Sequence, residues 1–180
     1  GHFYLDLFPR DGKYGHAAMF PFINKSKYNL PLAAIVCNFD SGSNVDFENV
    51  VTYFHEFGHL MHNMVSECQI SSLSGTSCQL DFVETPSQMF EEWCYCEEPL
   101  KKLVLPNFID TINKEFVQKI NKQNKLMQGI FNARQLSFGI LDQTIHSENI
   151  PENTWEFYNK LTKELLDWEI SPKTNMLANW

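Results

Sequence analysis

The sequence predicts a mainly α-helical protein with a small N-terminal β-sheet, an α+β arrangement. Two observations carry this. Within residues 1–40, short aromatic and apolar runs are broken by turn residues. From Phe47 onward, apolar residues recur at spacings of three and four, the helical period. No internal repeat, low-complexity tract or linker divides the chain.

Residues 2–8, His-Phe-Tyr-Leu-Asp-Leu-Phe, are aromatic-rich and read as a strand. Pro9-Arg10-Asp11-Gly12 is a turn signal. Ala17 to Ile23 reads as a second strand, so the two are expected to form a hairpin. Asn24 to Pro31 is a polar loop. Leu32 to Phe39 is a continuous apolar run, the pattern of a buried strand. Residues 1–40 are thus expected to make a sheet of about three strands.

A helix is expected over 46–66, capped by Ser43 or Asp46. Phe47, Val51, Phe54, Gly58, Met61 and Val65 form one stripe on it. Val50, Tyr53, Phe57, Leu60 and Met64 make the opposite side largely apolar too. A helix apolar nearly all round is a buried helix. Residues 67–80 are serine-rich and read as an irregular connection. Its Gly75 and Thr76 are candidates for substrate contact, with a plain inter-helix turn as the competing role. From Asp81 to Glu98 a second helix is expected. Asp81 and Glu84 have N-cap-to-N3 spacing, and the first turn is placed near Glu84. Pro86 is tolerable near such a start. Val83, Phe90, Trp93 and Cys94 supply its inward face. Residues 46–98 therefore read as a helix pair. The segments 107–122, 126–146 and 152–168 read as core-facing amphipathic helices, making 107–170 helical.

Composition narrows the function. At 180 residues and 43% hydrophobic, the chain has the length of one domain and enough apolar content for a core. A net charge of −8 argues against a nucleic-acid or anionic-membrane surface. No apolar run reaches the roughly 18 residues of a membrane span. The five cysteines are odd in number and lack a C-x-x-C pair, which reads as free thiols in a reducing compartment. The chain starts without Met inside an apparent strand and is expected to be a fragment of a longer protein.

The chemistry sits in Tyr53-Phe-His-Glu-Phe-Gly-His-Leu-Met-His62. His-Glu-x-x-His is a helical zinc motif of metallopeptidases. His55 and His59 are four apart and share one helix face. Two imidazoles so placed can hold one Zn²⁺ at roughly 2.0–2.1 Å each. Glu56 points about 100° away from His55. It is badly placed to ligate but well placed to take a proton from a metal-activated water. A metal also removes the cost of burying these polar groups.

A catalytic zinc usually takes three protein ligands. His62 lies about 10.5 Å along the helix from His55, too far to share an ion with it. It is a candidate supporting residue, although a His59–His62 pair stays open on spacing. Glu67, Asp81, Glu84, Glu91 and Glu92 are the acidic candidates downstream. A second, antiparallel helix would return Glu84 to the first and complete a His₂Glu set. Spacing alone does not separate Glu84 from Glu91.

At this point the sequence resembles the thimet oligopeptidase and neurolysin family of zinc metallopeptidases. The likeness runs through Phe3-Tyr-Leu-Asp-Leu7, Pro9-Arg10, Gly12-Lys-Tyr-Gly-His-Ala-Ala18 and Tyr53–His59. It continues through Ser74-Gly-Thr76, Asp81-Phe-Val-Glu84, Pro86-Ser-Gln-Met89, Phe131-Asn132 and Arg134-Gln135. The resemblance implies a truncated, gluzincin-type helical zinc-peptidase core. It implies zinc ligands at His55, His59 and Glu84, one Zn²⁺ per chain, and a general base at Glu56. It implies short peptides as substrates; charge and the lack of a membrane span leave neither nucleic acid nor membrane expected as partner. The family is generally intracellular, so the cytoplasm is expected, with the mitochondrion as alternative. In that family a glycine- and tyrosine-rich segment follows the match to Thr174-Asn175-Met176, and a helical N-terminal portion forms the other channel wall. Both are missing here, so the fragment alone is expected to be weakly active or inactive. Asp81 and Glu91 are candidates to orient the histidines. The alternative function is a zinc-containing peptide-binding module without catalysis; the intact Glu56 favours the enzyme.

Overall fold

A computed structural model describes residues 1–40, 42, 45–147 and 150–171. Ser43 and the segment Thr174-Asn175-Met176 lie outside them. The chain folds as two compact units, Gly1–Val117 and Gln118–Trp180. Mainly helical structure with one small sheet is what the sequence predicts, and it is what forms. Among the described residues, no helix is long and apolar enough to cross a membrane.

In the first unit, β1 (His2–Asp6), β2 (Ala18–Ile23) and β3 (Leu32–Val36) pair in the order β1-β3-β2. The expected hairpin does not form. β1 runs parallel to β3, from His2 opposite Leu32 to Asp6 opposite Val36, and β2 pairs antiparallel on β3's other side. The reason is burial. Ala33, Ala34 and Ile35 are small or apolar on both faces and buried, so β3 takes the centre. β1 and β2 carry aromatic residues that stay exposed, and Pro21 lacks the N–H a central strand needs. The Pro9–Gly12 turn serves another purpose. Gly12 adopts φ 75°, and Lys13 folds back to donate to the carbonyls of Asp6 and Phe8.

Helix α1 (Phe47–Met64) lies on this sheet. Tyr53, Phe57, Leu60 and Met64 pack against Ala33, Ile35, Cys37 and Phe39. Their spacing is one of the two stripes read from sequence. Burying a residue like Leu60 completely contributes about 1.5–3 kcal/mol. The other side of α1 is less covered than its composition predicts: of Phe47, Val51, Phe54, Gly58, Met61 and Val65, Gly58 alone is buried outright. Asp46 does hold the N-cap position, but its side chain bonds no backbone N–H.

A connection with a 3₁₀ turn at Ser71–Leu73 leads to α2 (Leu80–Glu91). The cap is Gln79, so the predicted Asp81–Glu84 capping box is not made, and Pro86 falls inside the helix. The helix expected to reach Glu98 tightens into a 3₁₀ turn at Glu92–Tyr95 and restarts as α3 (Glu97–Leu103). Cys94 is buried as expected, but Trp93 is left exposed. The helix expected over 107–122 also divides, into a 3₁₀ turn at Pro106–Thr111 and α4 (Lys114–Lys125). Asn113 accounts for the break, since its Oδ1 accepts from Phe116 N–H at 3.0 Å as a helix cap does. α4 runs across the boundary between the units.

In the second unit, α5 (Gln128–Ile145) and α6 (Thr154–Leu166) bury Ser137, Leu141, Tyr158 and Thr162. Phe138 and Tyr158 stack at 6.4 Å. Asn153 caps α6, accepting from the N–H groups of Trp155 and Glu156.

Candidate metal centre

α1 and α2 run antiparallel, and their facing residues form a ladder. His55 meets Glu91, Gly58 meets Ser87, His59 meets Glu84, and the ring of His62 lies 6.0 Å from that of Phe82. The crossing is close because Gly58 has no side chain. A Cβ there would lie 2.6 Å from Ser87 Cα and 2.7 Å from the Pro86 carbonyl oxygen. The glycine therefore sets how near α2, and with it Glu84, comes to the two histidines.

One atom from each of His55, His59 and Glu84 lies within 4.8 Å of the others. Glu84 Oε2 is 3.2 Å from His55 Nε2 and 3.1 Å from His59 Nε2. Two donors held at about 2.1 Å around a tetrahedral ion stand about 3.4 Å apart, so these separations suit a shared zinc. The donor chemistry points the same way. His55 Nδ1 is 2.6 Å from Glu91 Oε1. A carboxylate only accepts, so Nδ1 carries the proton. A neutral His55 then turns the lone pair of Nε2 toward Glu84 Oε2. Two lone pairs facing at this distance repel unless a proton or a metal cation stands between them. The residues fit a metal ion.

The Ser87 hydroxyl donates to Glu84 Oε2 at 2.7 Å and to the Glu84 carbonyl at 2.9 Å. That bond, opposed by partial burial and aided by His59 and His55, holds the Glu84 carboxyl below its ordinary range. The Glu84 side chain is 49% exposed, against 13% for His59. The cluster is thus open to solvent on the carboxylate side.

Glu56 is buried on α1 and takes no part in the ion pairs around Glu84. Burial, and then the charge of Glu56, push the Cys37 thiol up to about 11. Cys37 therefore remains a protonated, inert thiol at neutral pH. All five cysteines are free.

The remaining candidates divide. Glu91 joins the site through His55. His62 stands a turn further along α1, outside the cluster, with Nδ1 buried and unpartnered. Asp81 is exposed in the first turn of α2 and pairs with neither histidine. Gly75 is buried at φ 58° against Asn63 of α1, and Thr76 beside it is half-buried. Sequence reasoning missed two contributors. A glycine inside an apolar helix is a packing signal, and it marks Gly58. The i,i+3 spacing of Glu84 and Ser87 places both on one face of α2.

A helix bearing His-Glu-x-x-His, answered by a glutamate from its antiparallel neighbour, matches the helical zinc motif of metallopeptidases. The chain belongs to peptidase family M3, whose profile matches residues 1–179. It is 39% identical, over 92% of its length, to the thimet-like oligopeptidase of Dictyostelium discoideum. It is 37% identical over 82% to saccharolysin of Saccharomyces cerevisiae, and 33% identical over 84% to oligopeptidase A of Escherichia coli. It covers 27%, 22% and 24% of those proteins, about a quarter of their length.

Proposed function

We propose that this chain carries the zinc-binding catalytic core of an oligopeptidase that hydrolyses bonds within short peptides. The observation that carries the reading is the approach of His55 Nε2 and His59 Nε2 to one oxygen of Glu84. Membership of a peptidase family supports it.

In this reading His55, His59 and Glu84 hold one Zn²⁺. When bound, the ion supplies a Lewis acid that polarises the scissile carbonyl and brings the pKa of a water toward about 7. Glu56 takes the proton of the attacking water and delivers it to the leaving amine. Glu91 keeps His55 in the tautomer whose Nε2 is free to ligate. Gly75 shapes the loop after α1, and Thr76 beside it is the candidate for touching the peptide.

The chain spans a quarter of its relatives' length. By itself it is expected to bind zinc while cleaving slowly, since each missing transition-state donor typically costs about 10²–10³ in rate.

The test measures metal and chemistry separately. The purified chain, supplied with zinc and dialysed, should retain about one equivalent, removable by chelator. Glu56→Gln should keep that zinc and lose the chelator-sensitive cleavage of a quenched fluorescent peptide. Retention of less than about half an equivalent would overturn the metal site. An unchanged rate in Glu56→Gln would overturn the role of the base.

A further inference from the structure

We infer that Ser87 is a positioning residue for Glu84, and that its hydroxyl fixes the carboxylate oxygen presented to the metal. The inference rests on the zinc-site reading above and extends it to a residue outside the three proposed ligands.

Ser87 is fully buried, at the point where α1 and α2 come closest. A serine hydroxyl inside a helix commonly bonds the carbonyl a turn earlier, and here Oγ reaches the Glu84 carbonyl at 2.9 Å. That bond alone would be ordinary. The second contact is the informative one. The same Oγ lies 2.7 Å from Glu84 Oε2, the oxygen that both imidazoles approach. A hydroxyl hydrogen shared with a carboxylate favours the charged acceptor.

A glutamate has three side-chain torsions, and half of this one is exposed. Without a tether it would sample several rotamers, most of them away from the histidines. The hydroxyl ties the carboxylate to its own helix. It occupies one lone pair of Oε2 and leaves the other directed between the imidazoles. The ligand is thereby set in place before any ion arrives, and ordering it costs less on binding. Ser87 also has to be small, because Gly58 faces its Cα. Packing and tether are separate demands on one residue, and they predict different behaviour in variants.

Ser87→Ala keeps the packing and removes the donor; Ser87→Cys nearly keeps the volume and weakens the donor. For each, zinc affinity is measured by chelator competition. The visible spectrum of the cobalt-substituted chain and the melting temperature of the metal-free chain are measured alongside. A tether predicts zinc binding weakened about 10- to 100-fold in both variants, the scale seen for residues that orient a ligand. It also predicts an altered cobalt spectrum, with metal-free melting close to wild type. Wild-type affinity and spectrum in either variant that folds would overturn the inference. So would weakened affinity that tracks a lowered metal-free melting temperature under an unchanged spectrum, since that is packing alone. Failure of the wild-type chain to bind zinc would overturn the metal-site reading itself, and this inference with it.

Discussion

The two ends of the site are built differently. At the N-terminal turn, His55 offers Nε2 to Glu84, and its Nδ1 is bonded to Glu91 at 2.6 Å. One turn later, His59 offers the same atom to the same oxygen, but its Nδ1 is buried with no partner. His55 is thus oriented by a charged hydrogen bond and is the more exposed ring, at 27% against 13%. His59 has no anchor at Nδ1 and is held by enclosure and by its approach to Glu84. The contrast teaches that a ring partly open to water needs a bonded anchor, whereas a ring walled in by packing can do without one. It also predicts that the two histidines respond to different injuries.

Removing the anchor should hurt one end only. Glu91→Ala leaves His55 free to rotate and to adopt the other tautomer, so zinc affinity should fall about 10- to 100-fold. Glu91→Gln keeps an oxygen that can accept from Nδ1–H and should fall less. Chelator competition gives the affinities, and the imidazole N–H resonances show which ring has changed tautomer. If Glu91→Ala perturbs His59 as much as His55, the two ends are not independent and the comparison breaks.

Disturbing the packing should reach both ends. Gly58→Ala places a methyl against the backbone at Pro86 and Ser87, where no flexible side chain can give way. Overpacking of this kind costs about 1–3 kcal/mol. The expected outcome is a lower melting temperature of the metal-free chain together with weaker zinc binding, because α2 carries Glu84 away from α1. A stable Gly58→Ala variant with wild-type zinc affinity would show that the close crossing is not what positions the carboxylate.

These two cases mark how far the sequence could be read. The helix pair, both histidines and the acids Glu84 and Glu91 were legible because helical spacing is local. The choice between the two acids was not, and there family likeness had to stand in for geometry. Gly58 and Ser87 lay in plain view, but their meaning depends on how closely two distant segments approach. The sheet failed for a similar reason. Its strands were found, yet their order depends on which run is buried on both faces, and β3 displaced the hairpin. The breaks at Glu92 and Ile112 escaped because amphipathic spacing continues across them. At Met127 the chain turns at φ 70°, a left-handed conformation that the sequence would mark only with glycine or asparagine.

The smallest expected effect lies at the C-terminal end of the ladder. His62 also has a buried, unpartnered Nδ1. Burial first, and then its neighbour His59, hold its pKa below the ordinary 6.5. As pH falls through about 6.5, the unfolded chain therefore takes up this proton before the folded one does. Stability is fully present above that value, declines below it, and stops declining once pH passes the folded pKa. The ring is only partly buried, so solvent screening keeps the slope modest. In the metal-free chain, the urea midpoint of wild type should drop more between about pH 7.5 and 5.5 than that of His62→Gln. The rest of the chain is the same in both proteins, so the difference between the two slopes isolates this ring. Parallel slopes would mean that His62 accepts a proton as readily folded as unfolded, and that water reaches the nitrogen this end of the ladder leaves bare.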